Sequence, residues 1–521
     1  MLLHRLAVAS TALASTSARS AKVRLIADAL REAGAGEAGL VVSYLSGELR
    51  QRRTGLGYAA LRDLPPPAAE PGLTLAEVDA AFAAAQDVAG AGATARRREL
   101  LVGLMARATL EEQRLLAGLV AGELRHGALE GLVTDALAQA ASLPLADVRR
   151  AVMLRGALAP VAEAALAEGA AGLDRFHLEV GRPVLPMLAS SADGVPVALE
   201  RTGPAAVEWK LDGIRVQVHR DGQDVRVFTR TLDDVTDRVP ELVDAALALP
   251  VRSVVLDGEA IALAADGRPL PFQQTASRTA SRVDVQSVRR STPLTAFLFD
   301  VLHLDGQDLL GEPGTVRQEA LVRAVPEALR VPRVVVTDPA DVDMAAAAFR
   351  DALAHGHEGV LVKALDAPYE AGRRGAAWVK VKPRHTLDLV VLAAEWGHGR
   401  RTGVLSNLHL GALDDGPGSV GGPPRFAMLG KTFKGLTDAM LAWQTEALLA
   451  LEERRTAHVV HVRPELVVEI AFDGVQTSPR YPAGMALRFA RVLRHRPDKP
   501  AAQADTVSTV RAIHEGKHVV P

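Results

Sequence analysis

The chain has 521 residues and no cysteine, which excludes disulfide scaffolds, thiolate nucleophiles, iron–sulfur clusters and cysteine-ligated zinc. At this length, with 48% hydrophobic residues, we expect a globular protein of two to four domains. The formal net charge of -2, from 60 basic and 62 acidic residues, argues weakly against a polyanionic partner. Only nine of the 60 basic residues are lysines, and the others are arginines. In such a chain we expect lysine at positions where arginine cannot perform the same role.

The first element is expected to be a helix. Residues 1–27 contain no acid but several hydroxyl side chains and arginines, a composition that imitates a targeting peptide. The apolar residues that follow recur with helical spacing, at Val23, Leu25, Ile26, Ala29 and Leu30. We therefore interpret this segment as an ordinary first helix. No run of 18 uncharged apolar residues occurs, so we expect no membrane span and a cytoplasmic protein.

Helical periodicity continues to about residue 185. Thr74 and Thr109 are each followed three residues later by a glutamate, which is the capping-box pattern of a helix start. Two similar segments, Gly-Glu-Leu-Arg at 47–50 and 122–125, are followed by further glycines. Such helix ends suit backbone contacts to phosphate, and a chance repeat in an Ala- and Leu-rich chain is an equal alternative. We predict an all-helical region here.

From about residue 190 the apolar period becomes two. Residues 208–220 alternate as one strand, reach Asp221-Gly222, and resume at 225–228 as a β-hairpin. Further strands are predicted at 254–261, 296–302, 359–362 and 378–381, with a helix at 345–353. After Pro383, strands are predicted at 387–392, 404–410, 425–429 and 466–471, around one helix at 438–454 and a Gly/Pro-rich loop at 414–424. This second pattern fits a small β-barrel.

Charged residues interrupt several of these strands. Glu208, Lys210 and Asp212 would share one strand face, as would Asp257 with Glu259 and Lys380 with Lys382. Charges among Val, Leu and Trp are costly to bury unless they are paired. A solvated strand face with ion pairs is the ordinary alternative for any one group, but the recurrence favours a cleft.

In order and spacing these groups resemble the motifs of the nucleotidyltransferase superfamily, specifically an ATP-dependent DNA ligase. The matching segments are Lys210-Leu211-Asp212-Gly213 with Arg215, Phe228-Thr229-Arg230, Asp257-Gly258-Glu259, Phe299-Asp300, Glu358 to Lys363, Trp378 to Lys382 with Arg374 upstream, and Arg488 to Arg491 continuing through Arg496 to Lys499. Residues 181–188 resemble the start of the catalytic domain in three-domain ligases. Ala490 departs from the pattern, where the family has proline.

The resemblance implies a role for each matching residue. Lys210 would attack the α-phosphorus of ATP, a reaction that suits lysine because arginine keeps its proton. Glu208 would contact the base, Glu259 the ribose, and Phe299 would stack on adenine. The cations Arg215, Arg230, Arg374, Lys380 and Lys382 would bind phosphate, with Arg230 or Arg374 alternatively holding the DNA 5′-phosphate. Glu358 and Glu259 would hold Mg²⁺ or Mn²⁺. Arg488, Arg491 and Arg496 would orient pyrophosphate.

The implied partner is nicked double-stranded DNA. Residues 480–499 carry a local charge of +5 and residues 363–384 one of +4, and such patches bind phosphate whatever the base sequence. Lys431 and Lys434 are further candidate contacts, with a solvated loop as the alternative. RNA ligation or capping, and a non-catalytic DNA-binding scaffold, remain as other functions. We expect a monomer.

Together these observations predict a multidomain protein. An all-α DNA-binding domain would span residues 1–188, an α+β nucleotidyltransferase (adenylation) domain residues 189–384, and a β-barrel of the OB-fold type residues 385–521.

Overall fold

Helices form the beginning of the chain. The structure is a computed structural model that describes residues 1–51, 54–124, 126–127, 130–280, 285–370, 374–416 and 424–515. The first helices are α1 Leu3–Ser15, α2 Arg19–Arg31, α3 Ala38–Ser46, α4 Leu75–Asp87, α5 Ala93–Ala106, α6 Leu110–Ala121, α7 Glu130–Ala141, α8 Leu145–Arg155, α9 Leu158–Glu168 and α10 Ala170–Asp174. Leu3, Leu6 and Leu13 of α1 are buried in the core of this region. The apolar pattern from Val23 to Leu30 lies in α2, so the segment is helical as expected but forms two helices rather than one.

Two of these helices begin at the predicted capping boxes. The Thr74 hydroxyl accepts a hydrogen bond from the Glu77 N–H, and the Glu77 carboxylate accepts one from the Thr74 N–H at 2.9 Å. Thr109 and Glu112 form the same reciprocal pair before α6. Each box satisfies backbone N–H groups that a helix start leaves without intrahelical partners.

The repeated Gly-Glu-Leu-Arg segments end two helices. Gly47 follows α3 with φ +85° and Gly122 follows α6 with φ +68°, in the left-handed region that glycine adopts easily. In both, the next N–H bonds the carbonyl five residues earlier, in the pairs Glu48–Ser43 (2.9 Å) and Glu123–Gly118 (2.8 Å). This is the Schellman motif, so helix termination accounts for the repeat. Its phosphate contacts stay a prediction, and Arg125 lies outside the described residues.

Strands and helices mix from residue 188 to residue 381. The strands are β1 Leu188–Ala192, β2 Ala205–Trp209, β3 Ile214–Asp221, β4 Asp224–Thr229, β5 Ser253–Ala262, β6 Leu294–Leu304, β7 Gln307–Asp308, β8 Arg333–Val336, β9 Val360–Ala364 and β10 Arg374–Val381. The helices are α11 Val195–Thr202, α12 Pro240–Leu247, α13 Phe272–Ala280, α14 Val285–Ser291, α15 Gly314–Ala324 and α16 Val342–Ala354. One sheet has the strand order β4-β3-β5-β6-β7 and is antiparallel. The other has the order β1-β10-β9-β2-β8.

The predicted hairpin is confirmed by the register of β3 and β4. The two strands pair from Val216 with Thr229 to Asp221 with Asp224, and Gly222 turns the chain with φ +60°. The alternate valines of β3 face a core that α12 and α15 cover. The predicted strands at 254–261, 296–302, 359–362 and 378–381 and the helix at 345–353 are also present.

Strands dominate the last part of the chain. They are β11 His385–Trp396, β12 Leu405–Leu413, β13 Phe426–Thr432, β14 Glu452–Arg455, β15 Val459–Val462, β16 Val467–Phe472, β17 Gly474–Thr477, β18 Met485–Arg488 and β19 Arg491–His495, with helices α17 Asp438–Ala450 and α18 Val507–His514. The main sheet has the order β13-β12-β11-β15-β14, and β16 pairs with both β11 and β19. The predicted helix at 438–454 is too long, because residues 452–455 pair with β15 as a strand. Part of the predicted loop at 414–424 lies outside the described residues.

By its internal contacts the chain divides into two units. The first comprises residues 1–190, 201–339 and 363–379, and the second comprises residues 191–200, 340–362 and 380–521. The predicted domain boundaries after residues 188 and 384 stay predictions. In the part of the chain that the structure describes, no helix is both long and apolar enough to span a membrane.

Candidate active site

Lys210 lies in a short connection between two sheets of the first unit. Our prediction of one continuous strand over residues 208–220 is wrong, because β2 ends at Trp209 and β3 begins at Ile214 in the other sheet. At Gly213 a β-carbon would lie 2.3 Å from Ile261 Cγ2 and 2.4 Å from the Ala260 carbonyl oxygen, so only glycine fits where the chain crosses. The side chain of Lys210 is thus carried by a loop rather than by a strand ladder.

Glu259 stands beside this loop. Its Oε1 accepts a hydrogen bond of 3.2 Å from the Gly213 N–H, and it is paired in register with Arg215 across β3 and β5. Burial raises the pKa of Glu259 to about 7, although Lys210 and Arg215 act to lower it. The predicted nucleophile and the predicted ribose contact are therefore brought together.

Arg215 is held by protein groups. Its Nε and Nη2 donate to the two oxygens of Asp257 at 3.0 and 2.6 Å, and its Nη1 donates to the Met187 carbonyl at 2.6 Å. Burial alone would lower the pKa of Arg215, but Asp257, Tyr369 and Glu259 raise it above its ordinary value. The guanidinium is therefore charged and fixed, and its contact with phosphate stays a prediction.

Glu208 forms a buried ion pair. Its Oε2 lies 2.5 Å from Lys363 Nζ, and its Oε1 lies 3.8 Å from Arg333 Nη1. These residues line a cavity of about 20 Å³ with Phe299 and Trp378. A carboxylate oxygen accepts hydrogen bonds, which suits the exocyclic amine of adenine.

Phe299, the predicted adenine contact, belongs to an aromatic group. Its ring meets that of Trp378 edge to face at 6.0 Å between centroids. Lys363 Nζ lies 4.3 Å from both ring centroids, and the Arg215 guanidinium lies 5.6 Å from that of Phe299. Two cations over these rings make the aromatic group part of the charged site.

Two predicted phosphate contacts lie outside this group. Arg230 follows β4 directly and is exposed. Arg374 begins β10, but its side chain lies outside what the structure describes.

In the second unit, Glu358 pairs with Lys382. Lys382 Nζ lies 2.8 Å from Glu358 Oε2 and 3.9 Å from Asp473 Oδ2. A cavity of about 290 Å³ is lined by five cations, Lys380, Lys382, Arg384, Lys434 and Arg491, together with Asp193 and Asp473. This excess of positive charge suits phosphate.

The last motif spans a turn between two strands. Arg488 ends β18 and Arg491 begins β19, while Phe489 between them is 61% exposed with φ +56°. Lys434 Nζ lies 5.6 Å from the centre of the Phe489 ring. The motif thus presents a strained, exposed aromatic residue next to cations.

The local +5 charge of residues 480–499 is partly neutralised. Asp388 Oδ2 accepts from Arg496 Nη1 at 3.0 Å and from Lys499 Nζ at 2.7 Å, and Glu469 pairs with Arg494 at 2.5 Å. The net positive charge of this patch is therefore smaller than the sequence predicts, because acids from β11 and β16 neutralise part of it. For Arg491 and Arg480 the described residues provide no ion pair, so these side chains are the better candidates for phosphate.

Among the residues that the structure describes, a metal ion would need ligands beyond protein side chains. Among the described residues, no group of three or more His, Asp or Glu side chains could hold a metal ion. Glu259 nevertheless fits a cation, since burial raises the pKa of its carboxyl group to about 7 and a bound cation would favour the charged form. Mg²⁺ is commonly held by one or two carboxylates plus substrate phosphates, and this donor set is compatible with that mode.

Known proteins match the whole length of this arrangement. The family profiles that match are "DNA ligase N terminus" over residues 56–138, "ATP dependent DNA ligase domain" over residues 186–382 and "ATP dependent DNA ligase C terminal region" over residues 401–499. A probable DNA ligase of Streptomyces avermitilis is 57% identical over 515 residues, with 99% of each chain covered. One from Anaeromyxobacter dehalogenans (strain 2CP-C) is 58% identical over 522 residues, covering 99% of this chain and 100% of the relative. The chain belongs to the ATP-dependent DNA ligase family.

The solved structure named Pmar-Lig_PreS3 shares the fold of this ligase. It has a TM-score of 0.61 and 17% identity, and the match covers 94% of this chain and 99% of that one. The expected ligase architecture is confirmed at the level of a helical N-terminal region, a nucleotidyltransferase middle region and a C-terminal region made mostly of strands.

Tyr369 of this ligase belongs to none of the sequence motifs, yet it lies in the site. Its side chain is buried next to Arg215 and Asp257, and its phenol donates to Asp257 at 2.7 Å. Burial, followed by the charge of Asp257, raises the pKa of this phenol well above its ordinary value, so it keeps its proton. Its rarity was the available signal, because the chain has only four tyrosines and this one lies between two motifs.

Proposed function

We propose that this ligase seals nicks between a 5′-phosphate and a 3′-hydroxyl in duplex DNA, as an ATP-dependent DNA ligase of class EC 6.5.1.1. The observation that carries the proposal is the placement of Lys210 on the connection between two sheets, next to Glu259 and in the unit that also holds Glu208 and Phe299. A loop position leaves the amine able to approach a nucleotide.

In the first step the neutral amine of Lys210 attacks the α-phosphorus of ATP. The nitrogen–phosphorus bond forms, the bond to the pyrophosphate oxygen breaks so that pyrophosphate leaves, and the attacking nitrogen then releases one proton to solvent. Glu208 accepts a hydrogen bond from the adenine amine, Phe299 stacks on the base and Glu259 binds the ribose. The motifs imply that the cations Lys380, Lys382, Arg488, Arg491 and Arg496 would bind the phosphates.

The next two steps consume the lysyl-AMP. A 5′-phosphate oxygen of the nick displaces Lys210 from phosphorus, which gives a DNA-adenylate and restores the amine. The 3′-hydroxyl then attacks the 5′-phosphorus, loses its proton and releases AMP. Arg230 or Arg374 would hold the 5′-phosphate in these steps, because a guanidinium matches two phosphate oxygens.

Glu259 and Glu358 are the residues that would hold Mg²⁺ or Mn²⁺. The ion, when bound, would neutralise the charge that develops on the phosphate oxygens. The burial of its carboxyl group supports Glu259 as a metal ligand. The ion pair with Lys382 supports Glu358, because a divalent cation could take the place of the lysine amine.

The remaining features of the proposal concern the whole protein. The C-terminal strands would close as an OB-fold barrel, the protein would act as a monomer on nicked DNA, and it would work in the bacterial cytosol and nucleoid in replication, repair or recombination. The support is the strand order of the C-terminal sheet and the cationic cavity beside it.

The first experiment tests the nucleophile. Incubation with Mg²⁺ and ATP labelled at the α-phosphate should attach label to the protein, and Lys210→Arg should abolish it. Lys517→Arg is the matched control, since Lys517 belongs to none of the ligase motifs, and it should label like the wild type. Persistent labelling of Lys210→Arg would show that another residue is the nucleophile.

The second experiment tests the substrate. Duplexes with a single nick in DNA or in RNA are supplied with ATP, GTP or NAD in turn. We expect sealing of the DNA nick with ATP. Preference for nicked RNA would support RNA ligation instead, and binding of nicked DNA without any sealing would support a non-catalytic scaffold.

A further inference from the structure

Tyr369 closes a ring of hydrogen bonds beneath the nucleotide site. Its phenol oxygen donates to Asp257 Oδ2 at 2.7 Å and accepts from the Met187 N–H at 3.0 Å. Arg215 completes the ring, since it donates to both Asp257 oxygens and to the Met187 carbonyl. The side chain of Tyr369 is 2% exposed, and its own N–H bonds the Leu310 carbonyl at 2.9 Å.

The ring fixes a charged carboxylate that water does not reach. Asp257 has no exposed surface, and its oxygens receive two bonds from Arg215 and one from Tyr369. A buried ion pair is stable only when its geometry is good and its remaining lone pairs are satisfied. Arg215 donates two hydrogen bonds to Asp257 and one to Met187. The phenol of Tyr369 supplies a further hydrogen bond to Asp257.

The ring is connected to the residues of the first step. Arg215 follows the Lys210–Gly213 loop by two residues, and its guanidinium lies 5.6 Å from the Phe299 ring and 5.7 Å from the Trp378 ring. Tyr369 packs edge to face on Trp378 at 5.8 Å. A shift of the phenol would therefore move both the guanidinium and the aromatic group that borders the predicted adenine site.

We propose that Tyr369 is a positioning residue for the adenylation of Lys210. It acts through Asp257 and Arg215, which it holds in the orientation that the first step requires. It also ties Met187, at the end of the segment that leads from the helical region, to that same ring. This inference rests on the proposed function, because it assigns Tyr369 to the lysyl-AMP step.

A matched control is available on the same segment. Gln217 is also buried, and its side-chain amide bonds both polar groups of the Val184 peptide, at 2.9 and 2.7 Å. Gln217 thus anchors the segment as Tyr369 does, but its side chain bonds Val184 and His219 rather than the ring. Gln217→Met should cost stability without moving Arg215.

The experiment measures the single-turnover rate of lysyl-AMP formation in full-length Tyr369→Phe and Gln217→Met, with melting temperatures recorded for both. We expect the rate of Tyr369→Phe at saturating ATP to fall about 10- to 100-fold, the loss typical of a misplaced catalytic group, while the half-saturating ATP concentration changes less than about 2-fold. Gln217→Met should keep the wild-type rate. A wild-type rate in Tyr369→Phe, or equal losses in both variants, would overturn the inference. Absence of lysyl-AMP in the wild type would instead overturn the proposed function.

Asp257→Asn keeps the inference testable if Tyr369→Phe does not fold. This variant keeps the shape of the side chain but weakens the three hydrogen bonds that meet at Asp257, so it should slow the same step. Where both variants fold, the double variant should be no more than about 3-fold slower than the slower single variant. The reason is that each substitution disrupts the same ring of hydrogen bonds. Multiplicative losses would show that the two residues act separately and would overturn the inference.

Discussion

Lys363 Nζ lies 2.5 Å from Glu208 Oε2, and both side chains are more than nine-tenths buried. Removing one partner of such a pair leaves a buried charge, which usually costs about 3–5 kcal/mol. We therefore expect Lys363→Met to lower the free energy of unfolding by about that amount, measured by urea denaturation. Arg333, at 3.8 Å, would recover only part of the loss.

Two comparisons check this prediction. Lys434→Met removes a lysine at an exposed position and should change stability by less than about 1 kcal/mol. The double variant Glu208→Gln/Lys363→Met removes both charges and should be more stable than Lys363→Met alone. A double variant that is less stable than either single one would contradict the buried-pair argument.

Glu358→Gln tests the proposed metal contact. The amide cannot supply the carboxylate charge, so we expect slower lysyl-AMP formation and a higher Mg²⁺ concentration at half the maximal rate. Losses of about 10²-fold in rate are ordinary when a charge-stabilising group is removed. Glu327→Gln, at an exposed position, is the control. An unchanged Mg²⁺ dependence would assign Glu358 to its ion pair with Lys382 only.

Gly213→Ala should displace the loop that carries Lys210. The added carbon would lie 2.3 Å from Ile261 Cγ2 and 2.4 Å from a backbone oxygen, so the backbone itself must move. We expect lysyl-AMP formation to fall by about 100-fold or more, as a shift of about 1 Å can cause. Gly311→Ala has open space around the new carbon and should label normally. Equal labelling of the two variants would refute the steric argument.

Because His219 is buried, we expect the folded protein to lose stability in acid. Burial lowers its pKa from 6.5 to about 3, so below pH 6.5 the unfolded chain binds a proton that the folded protein does not. The folded state therefore loses stability as the pH falls from 6.5 towards 3, by up to about 1.4 kcal/mol per pH unit. Denaturation in urea at pH 7.5 and 5.0 measures this loss.

In His219→Gln this group no longer titrates, so its stability should depend less on pH over the same interval. His177→Gln, at an exposed position, serves as the control and should show the wild-type loss. A His219→Gln variant with the full wild-type loss would attribute the acid sensitivity to other groups.

Local sequence signals predicted most of the fold. The capping boxes at Thr74 and Thr109 and the hairpin at Asp221-Gly222 depend on residues close in sequence, and each is present. The break after Trp209 could not be foreseen, because β2 and β3 alternate like one strand and only their different partners separate them. Strand β14 was missed for the same reason, since pairing with β15 outweighs a helical pattern.

The candidate site was predicted by residue type but not by contact. The motifs indicated Glu208 and Arg215, yet their partners Lys363 and Asp257 are 155 and 42 residues away along the chain. Asp388 neutralises Arg496 and Lys499 from more than 100 residues earlier. Charge balance of this kind depends on tertiary structure, and counting along the sequence does not capture it.

The connection between β2 and β3 has a consequence for how this enzyme can change over evolutionary time. Four residues, Lys210 to Gly213, span the distance between two sheets. An inserted residue would add about 3.3 Å of extended chain and carry the amine away from Glu259. Leu211 in the middle of this connection is buried, and a change in the number of residues would move the nucleophile. Surface loops tolerate insertions and deletions, so we expect this loop to be constrained in length as well as in the identity of its lysine.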